Sequence, residues 1–221
     1  MQDLSAGPGA AKARVRAAAL ELFSANGFRA TSVRDVMNAC KLTPGALYAH
    51  YPSKESLLFD LVHEGHTRLE NLLRAAAAAP EVVDVPTRLA RLMFELVLYQ
   101  LHHLDLARVA TNENIEAMPS EMRNELFSKR QRINGYFDDT YAEGVERKLF
   151  DPESPRLTIL AMLTSASQLT QWFKESGSMT STQIARWHAV MTMRLAMCYG
   201  GRGVDVAPIV DAAIGNVRPA N

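Results

Sequence analysis

Apolar side chains recur along this chain at intervals of three and four, and no stretch alternates one in two. Val15, Ala18, Leu22 and Phe23 form the first such stripe, the spacing of a helix with one buried face. Gly27 follows it, where a helix end favours a residue tolerant of positive φ. The second stripe is Val33, Val36, Met37 and Cys40. Thr31 and Ser32 stand before it as caps, and Asp35 lies three residues after Ser32 in a capping-box arrangement. Lys41-Leu42-Thr43 predicts a short connection with Leu42 as its apolar anchor. Thr43 as N-cap and Pro44 at the first helical position then predict a helix from Pro44 to Tyr51. That helix has only Leu47 and Tyr51 as an apolar pair, too little for a core element.

Helical spacing continues to the end of the chain. A fourth helix is predicted from about Ser53 to Ala78, striped by Leu58, Leu61, Val62, Leu69, Leu72 and Leu73, with a break at Pro80 to Pro86. Leu89, Leu92, Met93, Leu96 and Val97 mark the next helix, and Asp105 to Ala117 a shorter one. Pro119 restarts a long helix to about Lys148 that carries Met122, Leu126, Ile133, Phe137, Tyr141 and Val145. Pro152 and Pro155 precede a helix to Glu175, ended by Gly177. A last long helix spans Thr180 to Tyr199, and Ile209, Val210, Ala213 and Ile214 suggest a short terminal one. The expected fold is all-α.

The sparsely apolar helix after Thr43 is the informative one. Gly45, Ala46, Tyr48, Ala49 and His50 are left facing outward. Small residues at 45 and 46 allow close approach to base edges, while Tyr48 and His50 can reach phosphate oxygens. Ser53 caps the next helix, whose first amides and Lys54 make a further phosphate site. Two short helices in this arrangement form a helix-turn-helix that offers its second helix to the major groove. The candidate DNA contacts are Thr31, Ser32, Arg34, Lys41, Thr43, Pro44, Gly45, Ala46, Tyr48, His50 and Lys54.

The run Leu47-Tyr48-Ala49-His50-Tyr51-Pro52-Ser53-Lys54-Glu55-Ser56-Leu57-Leu58, with Ala30-Thr31-Ser32 before it, resembles the DNA-binding domain of TetR-family transcriptional regulators over residues 12 to 70. Cys40 stands where Ala is usual, and Lys41-Leu42-Thr43 replaces the common Gly-Val-Ser turn. Further on, Asp105 to Glu113, Met118-Pro119-Ser120-Glu121, Glu143-Gly144-Val145 and Leu149 to Glu153 are similar to the branch that controls fatty-acid and steroid catabolism. The resemblance implies an N-terminal three-helix helix-turn-helix domain and a helical-bundle domain for ligand binding and dimerisation. It implies a tail at 1–11, the DNA-binding domain at 12–70, the body at 71–199 and a C-terminal tail at 200–221.

What the resemblance implies about function is a homodimeric repressor, released from a palindromic DNA operator by a small hydrophobic effector, with an acyl-CoA thioester as the candidate. Polar groups interrupting apolar helical faces give a candidate ligand set of Met93, Val97, Arg108, Asn112, Arg130, Phe137, Gln168 and Trp172. The last two long helices carry more apolar residues than one face needs, which places the dimer interface at Trp187, Met191 and Leu195. A sensor of drugs controlling an efflux gene, or a ligand-binding protein without DNA binding, are the competing readings.

Composition changes this picture little. The net charge is zero, but residues 1–54 hold seven basic against three acidic side chains, a net of +4, which leaves −4 on the remainder. A mildly basic head on an acidic body suits a modest number of phosphate contacts. Cys40 and Cys198 are far apart and read as buried thiols of a reducing cytoplasm. No apolar run reaches the roughly 18 residues that span a membrane. There is no phosphate-binding glycine loop, nucleophile elbow or zinc-spaced Cys/His set, so no enzyme, cofactor or metal is expected. His63 and His66 read as surface histidines of a polar face.

Overall fold

The computed structural model describes residues 8–80, 82–151, 153–197 and 205–215. Eleven helices follow one another among them: α1 (Pro8–Asn26), α2 (Val33–Ala39), α3 (Pro44–Tyr48), α4 (Lys54–Ala77), α5 (Val85–His102), α6 (Leu104–Val109), α7 (Asn112–Glu116), α8 (Ser120–Glu146), α9 (Pro155–Trp172), α10 (Ser181–Ala196) and α11 (Ala207–Ile214). No strand occurs among the described residues, and none of their helices is long and apolar enough to cross a membrane.

The helices form two compact units. The first comprises residues up to His66 together with Leu104–Ser128; the second comprises Thr67–His103 and the residues from Lys129 onward. Segment 104–128, which the sequence reading places in the body, thus packs in the first unit. The reason is apolar: Val109, Ile115, Met118 and Leu126 are buried in one cluster with Val15 and Phe23 of α1, Val36 and Met37 of α2, Leu47 of α3 and Leu57, Leu58, Leu61 and Val62 of α4. Gly65 permits the close approach of α6, since a Cβ there would lie 2.3 Å from Leu106 Cδ2. His63 is not on a free polar face: its Nε2 is 3.0 Å from Glu125 Oε1 and its ring stacks on Phe59.

In the second unit α5 is buried along nearly its whole length and packs on α10 and α11. Arg91 joins two of these helices, donating to Glu95 Oε1 at 2.9 Å and to the Ala213 carbonyl of α11 at 3.1 Å. Lys129 and Arg132 converge on Glu70, which the paired charges hold ionised below its usual range, the Arg132 hydrogen bond first among them. Several predicted ends move. α9 stops at Trp172 because Phe173 is extended, and α10 closes at Met197. The first helix starts earlier than predicted, since residues 8–11 of the expected tail belong to α1, while residues 1–7, Pro152, Cys198 and Tyr199 lie outside the described residues.

Candidate nucleic-acid interface

The first turn is built as its residue types require. Gly27 takes φ +86, a left-handed conformation suited to glycine, and reverses the chain so that Phe28 meets Phe23 edge to face. Thr31 is buried, and its hydroxyl donates to the Gly27 carbonyl at 2.9 Å and the Leu22 carbonyl at 3.3 Å. That hydroxyl is committed inside the fold, which removes Thr31 from the DNA-contact set. Ser32 caps α2 with both arms of the capping box: the Asp35 amide donates to Ser32 Oγ, and the Ser32 amide and hydroxyl donate to Asp35 Oδ2. Those hydrogen bonds, the hydroxyl first, hold the Asp35 carboxyl below the usual range. Arg34 is exposed beside it.

The connection between α2 and α3 turns at Lys41, whose φ of 55 is left-handed. This conformation costs a residue with a side chain on the order of 1 kcal/mol. The Leu42 amide closes the turn on the Met37 carbonyl at 2.9 Å. Lys41 is exposed as a result.

α3 is shorter than the sequence predicts. The amides of His50 and Tyr51 both turn back to the Leu47 carbonyl at 2.8 Å, so the helix closes at Tyr48 and Ala49–His50 form a turn. Thr43 stands at the N-cap but makes no side-chain cap bond, and it is exposed. Leu47 is fully buried while Tyr48 is 60% exposed. A Cβ on Gly45 would meet nothing within 4 Å, and Ala46 and His50 are half-buried. The side chain of Pro44 lies outside the described residues.

Two anchors that the sequence reading missed lie behind α3. Tyr51, buried, donates its hydroxyl to Asp60 Oδ2 at 2.5 Å, and Arg16 bonds both Asp60 and Glu64. Burial and the bond to Asp60 push the Tyr51 phenol up to about 12. The signal was present: Asp60 and Glu64 sit one turn apart on a helix otherwise striped with leucines, and Arg16 follows Val15 in the first stripe. The second anchor is Lys54, whose ammonium donates to the Phe28 and Thr31 carbonyls, each at 2.9 Å, and lies 4.2 Å from the Phe28 ring centroid. Lys54 is half-buried and thus uses two of its three N–H donors on the protein. Ser53 caps α4 as expected, with the Ser56 amide on its Oγ at 3.1 Å.

The Asp60 network makes stability depend on pH. Burial alone would raise the Asp60 carboxyl, but the Tyr51 hydroxyl and the charges of Arg16 and Lys12 outweigh it and lower it. A lowered folded-state pKa contributes stability that is present above the unfolded value of about 3.9 and is lost as pH falls toward the folded value. The melting temperature is expected to drop between about pH 5 and pH 3, with Asp60→Asn flattening that limb in calorimetry. An identical limb in the variant would rule this source out.

The candidate ligand residues fall in both units. Met93, Val97 and Phe137 are core residues of the second unit. Arg130 is half-buried there, and burial lowers its pKa. Arg108 belongs to the first unit, 3.8 Å from Asp105, and the side chain of Asn112 lies outside the described residues. Gln168 and Trp172 are exposed, Trp172 by 59%. They share a face of α9 with Leu157 and Leu160, also exposed, so they face outward rather than into a cavity. On α10, Trp187, Met191 and Leu195 recur every four residues; the first and last are exposed and Met191 is half-buried.

Comparison with known proteins agrees with this geometry. A family model described as bacterial regulatory proteins, tetR family, matches residues 15–61, and one described as tetracyclin repressor-like, C-terminal domain, matches residues 83–196. The HTH-type transcriptional regulator UidR of Escherichia coli strain K12 is 32% identical over 113 residues, 51% of this chain and 53% of that protein. The chain thus spans about half the length of the curated relatives of that name. A regulatory protein in the tetR family from Rhodococcus RHA1 is 28% identical with a TM-score of 0.78, covering 85% of this chain and 97% of that one. AibR, solved in complex with isovaleryl coenzyme A and operator DNA, has the same fold at 23% identity and a TM-score of 0.69, over 80% of this chain and 97% of that one.

Proposed function

Because this chain belongs to the TetR family of bacterial regulatory proteins, we propose that it is a homodimeric, sequence-specific DNA-binding repressor, released from a palindromic operator by a small hydrophobic effector. The observation that carries this is α3: one fully buried leucine holds it down, while Tyr48 stands in solvent beside the open Gly45 and the uncommitted cap Thr43. Nothing in a folded monomer rewards that exposure, whereas close approach to base edges with flanking phosphate contacts does.

The contact set is Ser32, Arg34, Lys41, Thr43, Gly45, Ala46, Tyr48, His50 and Lys54, all exposed or half-buried. Arg34 and Lys41 supply charge at the two ends of α2, and Tyr48 a phenol for a phosphate oxygen. Tyr48→Phe removes one hydroxyl from an exposed site, so it should weaken operator binding by about 0.5–1.5 kcal/mol and leave the melting temperature unchanged. Fluorescence anisotropy against the promoter region of the chain's own gene measures this. Wild-type affinity in the variant would take Tyr48 out of the interface.

The apolar face of α9 and α10 is the proposed dimer interface, and a twofold dimer would set two copies of α3 in successive major grooves. The effector would bind within the second unit around Met93, Val97, Arg130 and Phe137, and its affinity is coupled reciprocally to that for DNA. The likeness to AibR, whose structure holds isovaleryl coenzyme A, supports an acyl-CoA, and a half-buried guanidinium such as Arg130 suits a phosphate or carboxylate. Short and long acyl-CoA esters titrated into the protein–operator complex should release the DNA. Release by cationic drugs with no response to any ester would point instead to a xenobiotic sensor.

A further inference from the structure

We infer that Gln100 of α5 is the polar contact that selects the effector, its Oε1 accepting a hydrogen bond from an O–H or N–H donor on the ligand. This rests on the reading above that an effector binds in the second unit around Met93 and Val97.

Gln100 lies in the last turn of α5, seven, four and three residues after Met93, Leu96 and Val97. It therefore continues the helical face that those buried side chains form. Its Oε1 is shielded from solvent and has no hydrogen-bond partner among the described residues. Other polar side chains along the same helix are paired. Arg88 donates to Glu143, Arg91 to Glu95 and to the Ala213 carbonyl, and His102 lies 3.0 Å from Ser181 Oγ.

An amide oxygen shut away from water without a donor destabilises the fold. A methionine of similar length would fill the same place without that cost, so the packing of α5 does not call for a carboxamide. A ligand that brings a donor recovers the cost, and an analogue of the same shape without one leaves the oxygen unpaired. A few placed polar groups in a mostly apolar site tell similar ligands apart in this way. The chemistry assigned to the effector is thus an apolar body carrying a hydroxyl or amide N–H within reach of the end of α5. The secondary amides of a coenzyme A thioester supply such a donor.

Hexanol and hexyl fluoride, alike in shape and differing in the donor, test this by titration calorimetry on the full chain. The ratio of hexanol to hexyl fluoride affinity should fall about tenfold from the wild type to Gln100→Met, which keeps the length and removes the amide. Without ligand, Gln100→Met should melt at the wild-type temperature or roughly 2–4 °C above it. The same affinity ratio in both proteins, or binding of neither probe by the wild type, would overturn the proposal. So would a lower melting temperature in the variant, which would give the amide a role inside the fold. Acyl-CoA esters titrated into the protein–operator complex judge the effector class separately. No release there would refute that reading, while the hexanol ratio would still judge Gln100.

Discussion

Trp187→Glu is expected to turn the dimer into a folded monomer that no longer holds its operator. Trp187 is 52% exposed on the protomer and lies in line with Met191 and Leu195 on α10, beside the exposed Leu157, Leu160 and Trp172 of α9. Apolar side chains concentrated on two successive helices of one unit mark a surface covered by a partner. A carboxylate buried there without a counter-charge costs roughly 3–5 kcal/mol, and twofold symmetry brings it in twice. The dimer should weaken on the order of ten-thousand-fold or more. Because Trp187 is half in solvent already, the helical content should not change. Sedimentation and anisotropy read both effects, and a soluble dimer with wild-type DNA affinity would move the interface elsewhere.

Leu47→Ala should be the most damaging change in the head. α3 has five residues, and among its described side chains Leu47 alone is fully buried, in one cluster with Val36, Met37, Cys40 and Tyr51. Emptying that site costs about 2–5 kcal/mol through lost burial and the remaining cavity. The orientation of Tyr48 and Gly45 depends on the same contact, so operator binding should vanish at concentrations that saturate the wild type while dimerisation through the second unit survives. Leu47→Met, which conserves volume, should cost less than about 1.5 kcal/mol and keep binding. Chemical denaturation and anisotropy on both variants decide it; full affinity in the alanine variant would mean that α3 is not the recognition element.

What could be read from the sequence was whatever is local. The Ser32–Asp35 box, the glycine turn at 27 and the cap at Ser53 each involve residues within one helical turn, and all three form in the structure. The helical stripes gave the all-α fold for the same reason. What was missed depends on chain reversal. Lys54 looked like a surface cation because its carbonyl partners are 23 and 26 residues earlier, and Thr31 because its acceptors are at the end of the preceding helix. Residues 104–128 looked like body because periodicity shows that a face is buried but not against what. Gln168 and Trp172, exposed on α9 in the single chain, show the same limit: a helix face that meets a partner would carry the same stripe as one lining a cavity.

The measurement that bears most directly on the central claim is selection of bound duplexes from a random-sequence DNA pool by the full chain at near-physiological salt. The account predicts enrichment of an inverted repeat whose half-site centres are about one helical turn, roughly 10–10.5 base pairs, or a multiple of it apart, and loss of that enrichment in Trp187→Glu. A pool that stays unenriched, or an enriched asymmetric site that Trp187→Glu still selects, would contradict it.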